Sequence, residues 1–397
     1  MTADLPQFGL LLLVGALVAI VTRRVGLPYT VGLVLAGMGV YLLPSHPSLH
    51  LSRELVYSLF LPPLVFEAAF YIRWQELRRD LPVLAVLATL GVVMAAAITA
   101  AGMHWAAAWP WGSAIIFGIL IAATDPVSVI ATFREAGVHG RLRLLVEAES
   151  LLNDGTAAVA FVVALGIVGG QAGNLPDIVV ATLITICGGL GLGAATGFGL
   201  MLLAGRSADH LVQITLTTLA AFGSFHLAEH FHCSGVLAAL AAGMVAGNYG
   251  SLGAATARGR EAVESFWEYA AFVVNSLIFI LIGGQVVQRQ FSELWAPIGI
   301  AIALVTLGRA LSIYPLCALF AGSGLRVDIR HQHVLFWGGL RGALALALAL
   351  GLPESLPFRE DVVTVTFAVV VFSIVGQGLT MVPLLRKLGQ IGRAPSA

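Results

Sequence analysis

The chain of 397 residues is 58% hydrophobic and 11% charged, and its formal net charge is zero. Soluble globular domains carry about 25% charged residues, so this composition excludes a soluble protein, and no basic tail indicates nucleic-acid binding. We therefore predict an all-α polytopic membrane protein.

Thirteen hydrophobic segments follow along the chain, each near the length that a helix needs to cross a bilayer. They are 5–22, 28–43, 54–72, 81–103, 111–133, 142–168, 177–204, 208–228, 232–249, 263–287, 294–321, 331–351 and 361–385. The first has no basic region before it, which favours a span over a cleaved signal. The three cysteines show neither pairing nor metal-binding spacing.

The basic residues predict the orientation, because cytoplasmic loops are enriched in arginine and lysine. With thirteen spans, 16 of the 21 basic residues fall on one side, 3 (Arg53, Arg289 and Arg359) on the other, and 2 within spans. This asymmetry predicts an outer N-terminus and a cytoplasmic C-terminus.

Six ionisable residues lie well inside predicted spans, where each costs about 2.5–3.5 kcal/mol on insertion scales. They are Glu67, Asp125, Glu149, Asp154, Arg309 and Arg341. Structural ion pairs between helices and functional sites are both open interpretations for the glutamate at 67 and the two arginines. The local sequence favours a functional role for the two aspartates.

The stretch "AATDPVSV" predicts an interrupted helix in span 5, because Pro126 disfavours helical geometry at Asp125. The freed backbone groups need a partner at membrane depth, and a cation beside Thr124 is one. Asp125 as a helix N-cap is the alternative, and both interpretations are compatible.

The stretch "ESLLNDGTA" places four oxygen-bearing side chains, Glu149, Ser150, Asn153 and Asp154, on neighbouring faces of one helix. Such oxygens suit hard cations such as Na⁺. A low-dielectric setting favours the protonated form of Asp154, so a proton and a cation are expected to compete for it. Hydrogen bonding between helices is the alternative for Ser150 and Asn153.

A second interruption is predicted in span 12, where glycines surround Arg341 in "WGGLRGALALALAL". Two interrupted segments seven spans apart fit inverted repeats of spans 1–6 and 8–13, with a transport site between them. We expect Arg341 to offset the negative end of a facing helix, and Glu67 is its predicted partner.

Four motifs in order, "ATDPVSV", "ESLLNDGTA", "GRALSIYPL" and "GGLRGALALALAL", resemble the NhaP branch of the cation/proton antiporters, which includes the animal sodium/proton exchangers. The similarity runs from about residue 8 to 388. It implies a non-enzymatic, multi-pass protein of the plasma or bacterial inner membrane that exchanges Na⁺, and also Li⁺, for H⁺ without a cofactor. It also implies a homodimer in the bilayer, with an interface domain (5–72 and 177–287) and a moving core domain (81–168 and 294–387).

The resemblance also implies roles for individual residues. Asp154 is expected to bind the ion and exchange the proton, with Na⁺ held at Asp154, Ser150 and Thr124 and with Asn153, Glu149 and Asp125 completing or supporting the site. Arg341 and Glu67 correspond to a core charge pair, and Arg309 to a structural charge. Electrogenic relatives carry a second Asp where this chain has Asn153, so electroneutral 1:1 exchange is expected.

Three alternatives stay open. His226, Glu229 and His230 form H-x-x-E-H, the pattern of inverted zinc peptidases, but they fall at an outer span end with no soluble catalytic domain. A channel needs a continuous pore, and acidic residues within spans disfavour an anion carrier. A K⁺/H⁺ antiporter of the same fold uses the same oxygen ligands.

Overall fold

The computed structural model describes residues 4–43, 51–125, 129–130, 133, 137–170, 174–249 and 257–391. Within these ranges there is no strand, further helical residues occur at 129–130 and 133, and fourteen helices have defined bounds. They are α1 (Asp4–Val25), α2 (Tyr29–Tyr41), α3 (Leu55–Phe70), α4 (Trp74–Ala106), α5 (Trp111–Ala122), α6 (Arg141–Val168), α7 (Leu175–Ala204), α8 (His210–His230), α9 (Gly235–Tyr249), α10 (Ala257–Val287), α11 (Trp295–Ala318), α12 (Ile329–Trp337), α13 (Ala343–Leu350) and α14 (Arg359–Lys387).

The composition of these helices is that of membrane-embedded segments. Eight of those in the described ranges, α1, α4, α6, α7, α8, α10, α11 and α14, are long and apolar enough to cross a membrane. α2, α3, α5 and α9 are shorter and also apolar. Helices that are apolar on all sides are stable only in a core or in lipid, so the prediction of an all-α polytopic membrane protein is confirmed.

Each of the thirteen predicted segments coincides with a helix or, for spans 5 and 12, with an interrupted helical segment. α4 begins at Trp74, seven residues before the predicted span, because its first turns form a polar extension in which Asp80 is buried against Arg141 of α6 at 2.7 Å. The number of membrane crossings and the orientation stay predictions.

The helices pack in two groups. α2 packs on α10, and α9 packs on α3, α7 and α8, while α4 packs on α5, α6 and α11, and α14 on α13. Glycines bring backbones close together in the first group: a Cβ on Gly37 or Gly283 would overlap the backbone of the facing helix, α10 or α2. The assignment of these groups to an interface domain and a core domain stays a prediction.

Both predicted interruptions are present. α5 ends at Ala122, and residues 123–125 are not helical before helical residues resume at 129. α12 ends at Trp337, and the chain stays unwound to Gly342 before α13 begins. Pro126, on which the first of these predictions depended, lies outside the described residues.

Candidate functional site

The two interruptions meet each other. The backbone N–H of Asp125 donates to the carbonyl oxygen of Leu340 at 2.7 Å, which joins the unwound segment of span 5 to that of span 12. Gly342 allows this approach, because a Cβ at that position would overlap the carboxylate of Asp125. The crossing therefore depends on a residue without a side chain at this point.

Arg341 lies at the C-terminus of α5. Its Nη1 donates to the carbonyl oxygens of Ala122 at 2.6 Å and Ala123 at 3.1 Å, and its backbone N–H donates to Ser373 Oγ at 2.9 Å. The last carbonyls of a helix lack helical partners and carry partial negative charge. Arg341 thus contacts the end of α5 as expected, and its stabilising role stays a prediction. Glu67 lies partly buried on α3, and its pairing with Arg341 stays a prediction.

The polar face of α6 lies directly beside this crossing. Glu149, Ser150 and Asn153 are each 1% exposed, and Thr124 of the unwound segment is as deeply buried. Thr124 Oγ1 donates to Ser150 Oγ at 3.0 Å, while Asn153 Nδ2 lies 3.3 Å from Thr124 Oγ1 and 3.4 Å from Glu149 Oε1. The structure therefore brings together the side chains that two separate motifs supplied.

Asp154 completes this cluster with an oxygen that has no partner. Its Oδ1 is buried without a hydrogen bond, as is Asn153 Oδ1. Buried polar atoms in proteins are almost always satisfied. An oxygen left free here is therefore ready to take a proton or a cation.

A cavity of about 50 Å³ lies against the Asp154 carboxylate. Its polar lining comes from Thr124, Asp125 and Asp154, and its apolar lining includes one face of α3 and the first turn of α13. The α3 residues are Leu61, Leu64, Val65 and Ala68. Carboxylate, hydroxyl and carbonyl oxygens around a small space suit a hard monovalent or divalent cation.

A buried ion pair behind the cluster was not found from the sequence. Arg309 of α11 makes a bidentate contact with Glu149, at 2.7 Å from Nη1 to Oε1 and 2.9 Å from Nη2 to Oε2. Arg309 Nη2 also donates to the carbonyl oxygen of Leu335 at 3.0 Å. The partners are 160 positions apart, and the only sequence signal was that both charges lie inside spans.

The H-x-x-E-H segment has a structural explanation. Glu229 Oε1 accepts hydrogen bonds from Tyr57 Oη at 3.2 Å and from the Gly235 N–H at the start of α9 at 3.0 Å. No group of three His, Cys, Asp or Glu residues within the described part of the chain could hold a metal ion. Nothing in these ranges supports a zinc peptidase.

Comparison with known proteins agrees with this geometry. The model of the sodium/hydrogen exchanger transmembrane family matches residues 9–387. The chain is 40% identical to the Na⁺/H⁺ antiporter ApNhaP of Aphanothece halophytica, over 92% of this chain and 70% of that protein. It is 38% identical to the low-affinity Na⁺/H⁺ antiporter NhaS1 of Synechocystis, over 99% of this chain and 76% of that protein.

The fold is also that of a solved antiporter. The structure of the sodium proton antiporter MjNhaP1 from Methanocaldococcus jannaschii superimposes with a TM-score of 0.74 at 19% identity, over 98% of this chain and 97% of that one. This chain is thus a multi-pass membrane transporter of the cell membrane. It belongs to the sodium/hydrogen exchanger family, on the NhaP side of that family.

Proposed function

We propose that this protein exchanges Na⁺ for H⁺ across the membrane, with both ions bound in turn at Asp154. The observation that carries the proposal is the unpartnered Asp154 oxygen beside a cavity at the meeting point of two interrupted helices. The relatives named as Na⁺/H⁺ antiporters support Na⁺ as the cation. The family is one of transporters, and no enzymatic step is invoked.

Competition for one carboxylate is the proposed basis of coupling. A proton on Asp154 removes the charge that attracts the cation, and a bound cation disfavours the proton. The site then changes sides only when Asp154 carries a proton or a cation, since an uncompensated charge is costly in hydrocarbon. The hydroxyl oxygens of Thr124 and Ser150 are the proposed further ligands of Na⁺, with Asp125 supporting the site from the cavity wall.

The residues around the ion ligands are proposed to hold those ligands in place. Glu149 is neutralised by Arg309, so it is assigned to the scaffold rather than to the ion. Asn153 connects this pair to Thr124 through its amide nitrogen. Arg341 stabilises the end of α5, and Glu67 is retained as its proposed partner.

Electroneutral 1:1 exchange follows from the neutral Asn153 next to Asp154. One binding carboxylate carries one Na⁺ in one direction and one H⁺ in the other, so no net charge moves in a full cycle. We further propose alternating access, in which residues 81–168 and 294–387 move against residues 5–72 and 177–287 in a homodimer. The two packing groups of helices are consistent with this division.

Reconstituted vesicles with a pH-sensitive dye test the proposal. Addition of Na⁺ or Li⁺, with K⁺ for comparison, should dissipate an imposed pH gradient at a rate unaffected by a clamped membrane potential. Asp154→Asn should abolish the response, while the matched variant Asp177→Asn, an exposed acid at the start of α7, should transport normally. Normal exchange by Asp154→Asn refutes the proposal. A response to K⁺ alone identifies K⁺, and not Na⁺, as the transported cation.

A further inference from the structure

Arg53 connects the two packing groups of helices at the end of the molecule that carries the predicted outer loops. Its side chain rests on Gly351, at the end of α13: a Cβ there would lie 2.5 Å from Arg53 Cδ and 2.8 Å from Nε. On its own side, the Arg53 guanidinium lies 5.9 Å from the centre of the Tyr57 ring. The absence of a side chain at Gly351 therefore leaves the space that the Arg53 side chain occupies, and Arg53 belongs to the other packing group of helices.

The base of Arg53 is anchored by a short chain of contacts. Tyr57 donates to Glu229, which accepts at the same oxygen from the first N–H of α9, and the Tyr57 ring packs edge-on against Phe225 at 5.3 Å. These contacts fix Tyr57 to α8 and α9. Arg53 therefore extends toward Gly351 from beside a Tyr57 side chain that is held in place, and the Glu229 carboxylate is bound to that same tyrosine.

A second arginine makes an equivalent connection. Arg289, just after α10, places its guanidinium 4.5 Å from the centre of the Phe367 ring and donates from Nη1 to Thr364 Oγ1 at 3.1 Å. Both partners lie on α14. A cation over an aromatic face is a modest attraction, so the contact can bias a conformational equilibrium and still open during turnover.

The Arg53 contact lies along the same two helices as the Asp154 cavity, and Arg289 belongs to a predicted outer loop, as Arg53 does. Along α3, Arg53 precedes Leu61 of the cavity wall by eight residues, or about 12 Å of helix. Along α13, Leu344 of the cavity wall, Leu348 and Gly351 succeed one another on one helical face. Leu348 is 6% exposed, so this face of α13 is covered by neighbouring side chains between the cavity and Gly351.

We propose that Arg53 and Arg289 form an outer lock, which holds the two groups of helices together while the ion site is closed to the outer side. Each turnover breaks the two contacts and remakes them. The strength of the lock sets the fraction of molecules whose site faces outward, and so the apparent affinity for external Na⁺. The proposal rests on alternating access as proposed above, but its test does not require transport.

Thiol labelling measures the opening directly. The three native cysteines are replaced by alanine, Leu348→Cys is introduced, and intact cells or oriented vesicles are exposed to a membrane-impermeant maleimide from the outer side. Arg53→Ala and Arg289→Ala should each accelerate labelling at least threefold. The matched control is Arg206→Ala, since this exposed arginine lies just after α7 on the predicted cytoplasmic side.

Two further variants make the result decisive. Gly351→Leu should displace Arg53 without removing it and should also accelerate labelling. Repeating Arg53→Ala with Asp154→Asn should give the same acceleration with transport abolished, which separates failure of the lock from failure of the proposed exchange. Labelling at the unmodified rate in monodisperse Arg53→Ala and Arg289→Ala, or equal acceleration by Arg206→Ala, overturns the proposal.

Discussion

Replacing Arg309 by methionine should destabilise the protein more than any surface charge substitution. The pair with Glu149 is almost completely buried, with side chains 8% and 1% exposed. Methionine has a similar length but removes both guanidinium hydrogen bonds from Glu149, and among the described residues this leaves the Asn153 amide as its side-chain donor. Removing one partner of a buried ion pair costs about 3–5 kcal/mol, because the other charge stays behind without compensation.

The matched control is Arg260→Met. Arg260 pairs with Glu264 at 2.7 Å, one helical turn away on α10, but the two side chains are 47% and 36% exposed. Solvent-screened helical pairs of this kind contribute about 0.3–0.5 kcal/mol. Because the two variants lose the same charge and the same side-chain atoms, a difference in their stability reports the effect of burying the ion pair.

Thermal stability in detergent provides the measurement. Heated samples are passed through a size-exclusion column, and the temperature that halves the monodisperse peak is recorded. Arg309→Met should lower it by about 5–10 °C and Arg260→Met by less than about 2 °C. Glu149→Gln combined with Arg309→Met should lose less than the sum of the single losses. Equal midpoints for the two arginine variants, or strict additivity, would refute the reasoning.

Three other outcomes follow from the site. Gly342→Ala should reduce exchange at least tenfold, because the methyl group overlaps Asp125, whereas Gly322→Ala, with open space around it, should not; equal rates contradict the crossing geometry. Thr124→Val should raise the KM for Na⁺ about tenfold, equivalent to losing about 1.4 kcal/mol of binding, and an unchanged KM removes that hydroxyl from the site. Lower pH should raise the KM for Na⁺ at constant maximal rate, because protons occupy Asp154; a falling maximal rate at saturating Na⁺ argues against simple competition.

Local chemistry made the interrupted helices predictable. Proline after Asp125 and glycines around Arg341 act on the backbone within one or two residues, so their effect can be located without knowing the fold. The polar face of α6 was predictable for a similar reason, since helical periodicity alone places Glu149 beside Asn153. In both places the sequence-based expectation agrees with the structure.

Contacts between distant segments were not predictable in this way. The sequence suggested Glu67 as the partner of Arg341 and no partner for Arg309, because it shows which charges lie inside spans but not the distances between them. In the structure Arg309 pairs with Glu149, and Arg341 donates to carbonyl oxygens at the end of α5. The capping role of Glu229 was hidden for the same reason, since the zinc pattern is local while Tyr57 lies 172 positions away.

The hydrogen bond between Asp125 and Leu340 limits how the two interrupted segments can change in length. An insertion of one residue into either segment would move its side chains along the crossing by about 1.5–3.3 Å, beyond the range of a 2.7 Å contact. Insertions or deletions near 125 and near 340 should therefore be tolerated only as compensating pairs. The two motifs, more than 200 positions apart, behave as one unit under mutation.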